Sequence, residues 1–220
     1  YLQAGHYDYV ARLLEHHGGD LMRQGRWLTL KSWFGELPNE HWEDNPALLL
    51  TYAQVLQRTG DTDVAMVHGQ RAVALAKALR DTRLAANALV TLARVLGPRG
   101  EFEDADGLAK EALGLLPMSE PALRAAAHEV RGLCLRHLGK TGPALTELTL
   151  ARRNAAETTD TARQAQVARS LASVYLATDD LERAEVHYRA AFTLWQRQGD
   201  TPLQAAALNG LGLVESRRGN

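Results

Sequence analysis

Across residues 46–219, small and bulky apolar residues recur at fixed distances from a series of turns, with polar residues between them. In LARVLGPRGEFEDADGLAKEALGLLP, residues 92–117, Gly100 is followed by Ala105, Ala112 and Pro117. Seven residues is close to two helical turns, so the two alanines share one helix face. The offsets repeat. Gly60, Gly100, Gly139 and Gly219 lie 40, 39 and 80 residues apart, and Asp179, in ATDDLERA, fills the missing place; Asp also serves turns. Five residues after each turn stand Ala65, Ala105, Ala144 and Ala184, and twelve after stand Ala72, Ala112, Ala151 and Ala191. Seven before the turns come Ala53, Ala93, Gly132, Ala172 and Gly212. Four before come Leu56, Leu96, Leu135 and Tyr175.

This pattern predicts antiparallel helix hairpins. The small residue before each turn lies on the first helix (helix A) and the first alanine after it on the second (helix B). With no bulk at either place, the two helices cross closely. The second alanine of helix B faces the next hairpin. Asp81-Thr82, Ser119, Asp160-Thr161 and Asp200-Thr201 are spaced as helix N-caps, with Pro121 and Pro202 in the first turns that follow. One hairpin cannot bury its own apolar face, so neighbouring hairpins stack. The expected fold is all-α, a right-handed superhelical solenoid.

Small residue, turn glycine, paired alanines and a terminal proline such as Pro117 together resemble the tetratricopeptide repeat, in longer units of about 40 residues, over residues 46–220. That gives about four and a half repeats. Residues 1–45 depart from the register: Gly5 and Gly25 are only twenty residues apart and the paired alanines are missing. They are expected to form irregular hairpins, a cap or domain junction, at the start of one continuous solenoid. Their order, continued by ELP and NPALLLTYAQVLQRTGDTDVA, resembles the start of the helical-repeat sensor domain in MalT-like, LuxR-type ATP-dependent transcriptional activators. That resemblance implies a bacterial sensor domain in transcription regulation and signal transduction, with ATPase and DNA-binding domains elsewhere in the polypeptide. The alternative is a tetratricopeptide scaffold or co-chaperone module that gathers protein partners.

Composition changes this picture little. Ala and Leu dominate the apolar content and aromatics make up 6%, which suits helix throughout. The formal charge of −1 gives no electrostatic case for nucleic acid. The 21 arginines against four lysines fit either phosphate and carboxylate recognition or a GC-rich codon bias. Cys134 is the single cysteine, so no disulfide framework is expected. No apolar run is long enough to span a bilayer and Tyr1 opens no recognisable signal peptide. A cytoplasmic fragment of a larger chain is expected, with the turn at Gly219 and Asn220 leading into more repeat.

No Walker loop, dinucleotide fingerprint or nucleophile elbow occurs. His128, Cys134 and His137 come nearest to a metal cluster, but their offsets do not share a helix face. No enzyme activity, metal or cofactor is expected. What remains is binding. In a tetratricopeptide solenoid, helix A lines the concave groove, and the register puts groove-facing positions six, nine, ten and thirteen residues before each turn. Among the polar members, Gln54, Asn87, Thr91, Arg94, Glu129, Arg169, Ser173 and Asn209 are expected to line one inner wall, although any solvated helix face would also be polar. The arginines suit carboxylate or phosphate and the amides suit peptide or sugar groups. The expected occupants are a small-molecule inducer or a regulatory protein or peptide, with neighbouring domains as further contacts and neither nucleic acid nor membrane. Trp27, Trp33 and Trp42 are expected to fill the first layer or form a docking face, and Tyr188, Phe192 and Trp195 to be core.

Overall fold

The turn at Gly100 has φ 80°, a left-handed conformation open to glycine without a Cβ penalty. Asp179, at the equivalent place later in the chain, adopts φ 61°, so the register holds even where the glycine is missing. These features come from a computed structural model describing residues 5–219. Tyr1 and Asn220, on which the expected start and continuation of the chain rested, lie outside the described residues.

Eleven α-helices follow in order among the described residues, with no strand: α1 (Tyr7–Arg23), α2 (Trp27–Glu36), α3 (Pro46–Thr59), α4 (Thr62–Ala78), α5 (Thr82–Leu96), α6 (Phe102–Leu115), α7 (Pro121–His137), α8 (Thr141–Ala156), α9 (Thr161–Ala177), α10 (Leu181–Gln198) and α11 (Thr201–Arg218). Short 3-10 turns occupy Asn39–His41 and Gly97–Arg99. The helices form two compact units, one ending at Leu115 and one beginning at Leu116.

In the first unit α3 pairs with α4 and α5 with α6, and α4 packs on α5. Ala65, Ala72, Ala105 and Ala112 have no exposed surface, so backbone meets backbone where a larger side chain would hold the helices apart. At Gly69 on α4 even a methyl group would not fit: a Cβ there would sit 2.6 Å from a Leu92 methyl. The irregular start is held by aromatics. Phe34 stacks on Tyr52 at 4.7 Å, and Trp42 meets both edge-on at 5.4 and 5.1 Å while its indole N–H donates to the Leu37 carbonyl. Trp42 is buried, whereas Trp27 and Trp33 are half-buried, Trp27 under the Arg58 guanidinium. Filling of the first layer therefore falls to Trp42 and Phe34. Lys31 on α2 donates to Asp61 at 2.6 Å, tying the early hairpin to the α3–α4 turn.

In the second unit α7 pairs with α8 and α9 with α10, and α11 closes on α10. Ala144, Ala151, Ala184 and Ala191 are again without exposed surface. Trp195 is fully buried against Ala165, Ala168 and Ala207, with Phe192 packed beside it, and Tyr188 packs with Ala184 and Val214. These aromatics are core, as expected. Asp160, Asp180 and Asp200 each accept an N–H three residues on, capping α9, α10 and α11. At α7 the expectation fails: Glu120, not Ser119, is the N-cap and no side chain accepts there. Pro121 follows at once with its φ already helical, so the helix starts without a cap bond. Among the described residues no helix is long and apolar enough to cross a membrane.

Candidate functional site

The helix-A positions chosen from the register fall on α3 and α5 in the first unit, and on α7, α9 and α11 in the second. Each compact unit thus carries its own set.

In the first unit the structure brings three of the four together. Gln54 on α3 directs its Nε2 to Thr91 Oγ1 at 3.2 Å and to Asn87 Oδ1 at 3.5 Å, and the Thr91 hydroxyl donates back to the Asn87 carbonyl at 2.9 Å. This ladder forms because α3 and α5 are successive helix-A elements lying side by side. Thr91 is only 4% exposed, so it supports the two amides and does not itself line an open wall. Gln54 and Asn87 are half-buried, and Arg94 lies one turn on from Thr91, also half-buried. With Gln54 Nε2 and Asn87 Oδ1 turned to each other, Gln54 Oε1 and Asn87 Nδ2 remain as an acceptor and a donor, the two groups of a peptide bond.

In the second unit Glu129 is 2% exposed, which corrects its placement on a groove wall. The residue ten before the turn is roofed over here by α9. Its carboxylate accepts from the Ser170 hydroxyl at 2.9 Å and lies 3.7 Å from Arg163. The arginine expected beside it from sequence, Arg169, makes neither ion pair nor hydrogen bond among the described residues, and its Nε is buried without a partner. Arg169 is half-buried on α9, near enough to Tyr188 that its positive charge opposes the upward push of burial on that phenol. Ser173, one turn on, donates to the Ser170 carbonyl at 2.7 Å. Asn209 on α11 is exposed. A half-buried cation without a counter-ion is the feature in this unit that suits an acidic group from outside.

The histidines and cysteine do other work. His128 contacts Glu147 at 2.7 Å across the α7–α8 hairpin, and Arg131 donates to the same carboxylate at 2.6 Å. Cys134 is buried one turn away. Sequence reasoning missed a shallow recess of about 340 Å³ in the first unit, where His41 meets Asp8 at 2.7 Å and Asn45 donates to Glu15 at 3.2 Å. Its residues come from α1, the 3-10 turn and the start of α3, outside any repeat register, so no spacing signals it.

This arrangement of hairpins has counterparts among known proteins. A family model described as "Tetratricopeptide repeat" matches residues 163–220. No curated protein matches the chain. Among solved structures, the Rap protein complexed with Competence and Sporulation Factor is similar at a TM-score of 0.74 and 18% identity, covering 92% of this chain and 63% of that one. A thermophilic tetratricopeptide protein from Thermus thermophilus is similar at 0.67 and 24% identity, covering 91% and 98%. PilF from Pseudomonas aeruginosa is similar at 0.61 and 18% identity, covering 97% and 95%. Residues 163–220 thus carry the tetratricopeptide repeat, and the fold as a class is the all-α helix-hairpin solenoid of tetratricopeptide proteins.

Proposed function

We propose that the chain is a protein-interaction module whose helix-A faces bind segments of partner polypeptides. The observation that carries this reading is the Gln54–Asn87–Thr91 ladder, which holds two side-chain amides in fixed orientation at a half-open surface. An immobilised amide pays little entropy on bonding a peptide group, and two of them in a row suit a main chain better than a small ligand. In the second unit Arg169 supplies a cation for an acidic residue or a chain-terminal carboxylate. The structural similarity to a Rap protein solved with its bound factor supports a binding role for such a scaffold.

The narrower reading, a sensor domain of a MalT-like activator, rests on the order of residues at the start of the sequence, as far as Ala65, and on the repeat length of about 40 residues, and the similar proteins above add nothing to it. A scaffold needs no attached ATPase and takes polypeptide, not a small inducer. The test is a selection of random peptides on the immobilised chain, followed by titration of the selected binders against Gln54→Ala, Asn87→Ala and Arg169→Ala variants. Affinity losses of about tenfold for one or more variants, the size of one lost hydrogen bond to a fixed group, support the reading. Binders indifferent to all three sink it, and selection of none with a small molecule bound instead returns the sensor reading to the front.

A further inference from the structure

The pairing of Gln54 with Asn87 has a counterpart in the second unit that is made of two cations. Gln54 and Asn87 stand 33 residues apart, six and thirteen before their turns, and meet across α3 and α5. Arg136 on α7 and Arg169 on α9 are also 33 apart, three and ten before theirs. They occupy the same two helix faces one turn nearer the hairpin end, and α7 and α9 lie side by side, joined by Glu129 and Ser170. Burial raises the pKa of the Tyr188 phenol, and the charges of Arg169 and Arg136 both oppose that rise, so both guanidinium groups lie close to it. Neither arginine is neutralised. Arg136 donates through Nη2 to the adjacent His137 ring at 2.7 Å, and no carboxylate pairs with Arg136 or Arg169 among the described residues. Both side chains are half-buried, and both Nε atoms are buried without a partner. α9 packs against α7 and α11 alike, yet neither helix brings Arg169 a counter-ion. The packing does not ask for charge at these places, since the first unit has Gln57 and Val90 there. Two partly desolvated like charges side by side are unfavourable until an anion joins them.

We propose that Arg136 and Arg169 together receive the phosphoryl group of a phosphorylated residue in a polypeptide bound along this face. The proposal rests on the reading of the helix-A faces as a polypeptide surface and gives that partner a chemical class. A carboxylate carries one charge and is saturated by a single guanidinium fork. Two cations suit a phosphate monoester, which at neutral pH carries close to two negative charges on three acceptor oxygens. Planar forks on two successive helices can approach those oxygens from two sides.

The experiment selects peptides on the immobilised full chain from two random libraries, one with a fixed central phosphoserine and one with serine in its place. The selected phosphopeptides should bind about tenfold or more weakly once dephosphorylated, and should lose as much on Arg136→Gln or Arg169→Gln. Arg197→Gln, at an exposed arginine of α10, should bind as the wild type does, and all the variants should keep its far-ultraviolet circular dichroism. As an independent measurement, phosphorus NMR of a bound phosphopeptide should show the second phosphate ionisation, at about pH 6 when free, lowered by the wild type and restored in either variant of the pair. Binders from both libraries that are indifferent to the phosphate overturn the proposal and leave the polypeptide reading standing. Equal loss of phosphopeptide affinity in Arg197→Gln overturns it in favour of a general attraction to positive charge. No binder from either library overturns both readings, and phenyl phosphate held by the two arginines in that case assigns the pair to a small phosphate ester.

Discussion

Gly132 on α7 and Leu148 on α8 share one volume: a Cβ built on Gly132 would lie 2.5 Å from Leu148 Cγ. The missing side chain on one helix is the seat of the leucine on the other, and the α7–α8 crossing depends on both. Gly132→Ala would gain about 1 kcal/mol of helix propensity and lose about 1–3 kcal/mol to overpacking, so a net loss is expected. Leu148→Ala, at a fully buried site, should cost about 2–5 kcal/mol. The double variant should cost less than the two singles together, because alanine at 148 makes room for the new methyl. Urea denaturation of the four proteins reads the cycle, and simple additivity would show that the two residues do not share space.

Asp179 holds a left-handed turn with φ 61° where the other repeats have glycine. That conformation costs a non-glycine residue about 1–2 kcal/mol. Its contact with Arg217, 3.6 Å away, joins two largely exposed side chains, and such pairs contribute about 0–1 kcal/mol. Strain relief is the larger effect, so Asp179→Gly should raise the melting temperature and Asp179→Val should lower it. A lower value for the glycine variant would mean that the Arg217 contact matters more than the backbone.

Ser170 donates to the buried Glu129 carboxylate at 2.9 Å. Removing the hydroxyl leaves a buried carboxyl oxygen with one donor fewer, and Ser170→Ala should lower stability by about 1–3 kcal/mol, the cost of leaving a buried acceptor unsatisfied. Ser170→Thr keeps the hydroxyl and should recover part of it. Equilibrium unfolding distinguishes the two; equal losses would point to packing and not to the bond.

His68 sits against Trp42 and Tyr52 with ring centroids 5.3 and 5.0 Å away. Burial holds its pKa below the ordinary 6.5, with Arg71 adding to the depression and Glu43 opposing it. His187, stacked on Tyr175 at 5.5 Å, is depressed by burial and by Arg152. For a depressed histidine the unfolded chain binds the proton more readily. Its stabilising contribution is complete above about pH 6.5 and is lost as pH falls through the folded pKa. The chain should therefore lose stability on acidification below about pH 6.5, and His68→Gln with His187→Gln should flatten the slope below that pH. Melting temperatures across that range report it, and an unchanged slope in the double variant assigns the effect to other groups.

The alanines and turn residues were legible because a packed hairpin constrains residue size at places fixed by helix geometry, as at Ala65 and Ala72. Asp179 could be read in spite of its identity because its neighbours kept the register. The covering of Thr91 and Glu129 was not legible. Helical spacing assigns a direction around an axis, but burial at the edge of a face depends on how far the next helix leans over it, which the sequence period does not contain. The recess between Asp8, His41 and Asn45 was hidden for a different reason: it joins residues about thirty positions apart in the part of the chain that has no period. The boundary at Leu115 and Leu116 was invisible because the alanine register runs through it unchanged.

The repetition of the same offsets at Gly139 and Asp179 has a consequence for how such a chain changes length. Excising residues 140–179 joins Gly139 to Asp180, and every small residue downstream keeps its distance from a left-handed turn. An excision a few residues shorter rotates the following helices and presents bulk where alanines had met. Length in this architecture is thus quantised, and the genetic step that preserves its packing is gain or loss of a whole period.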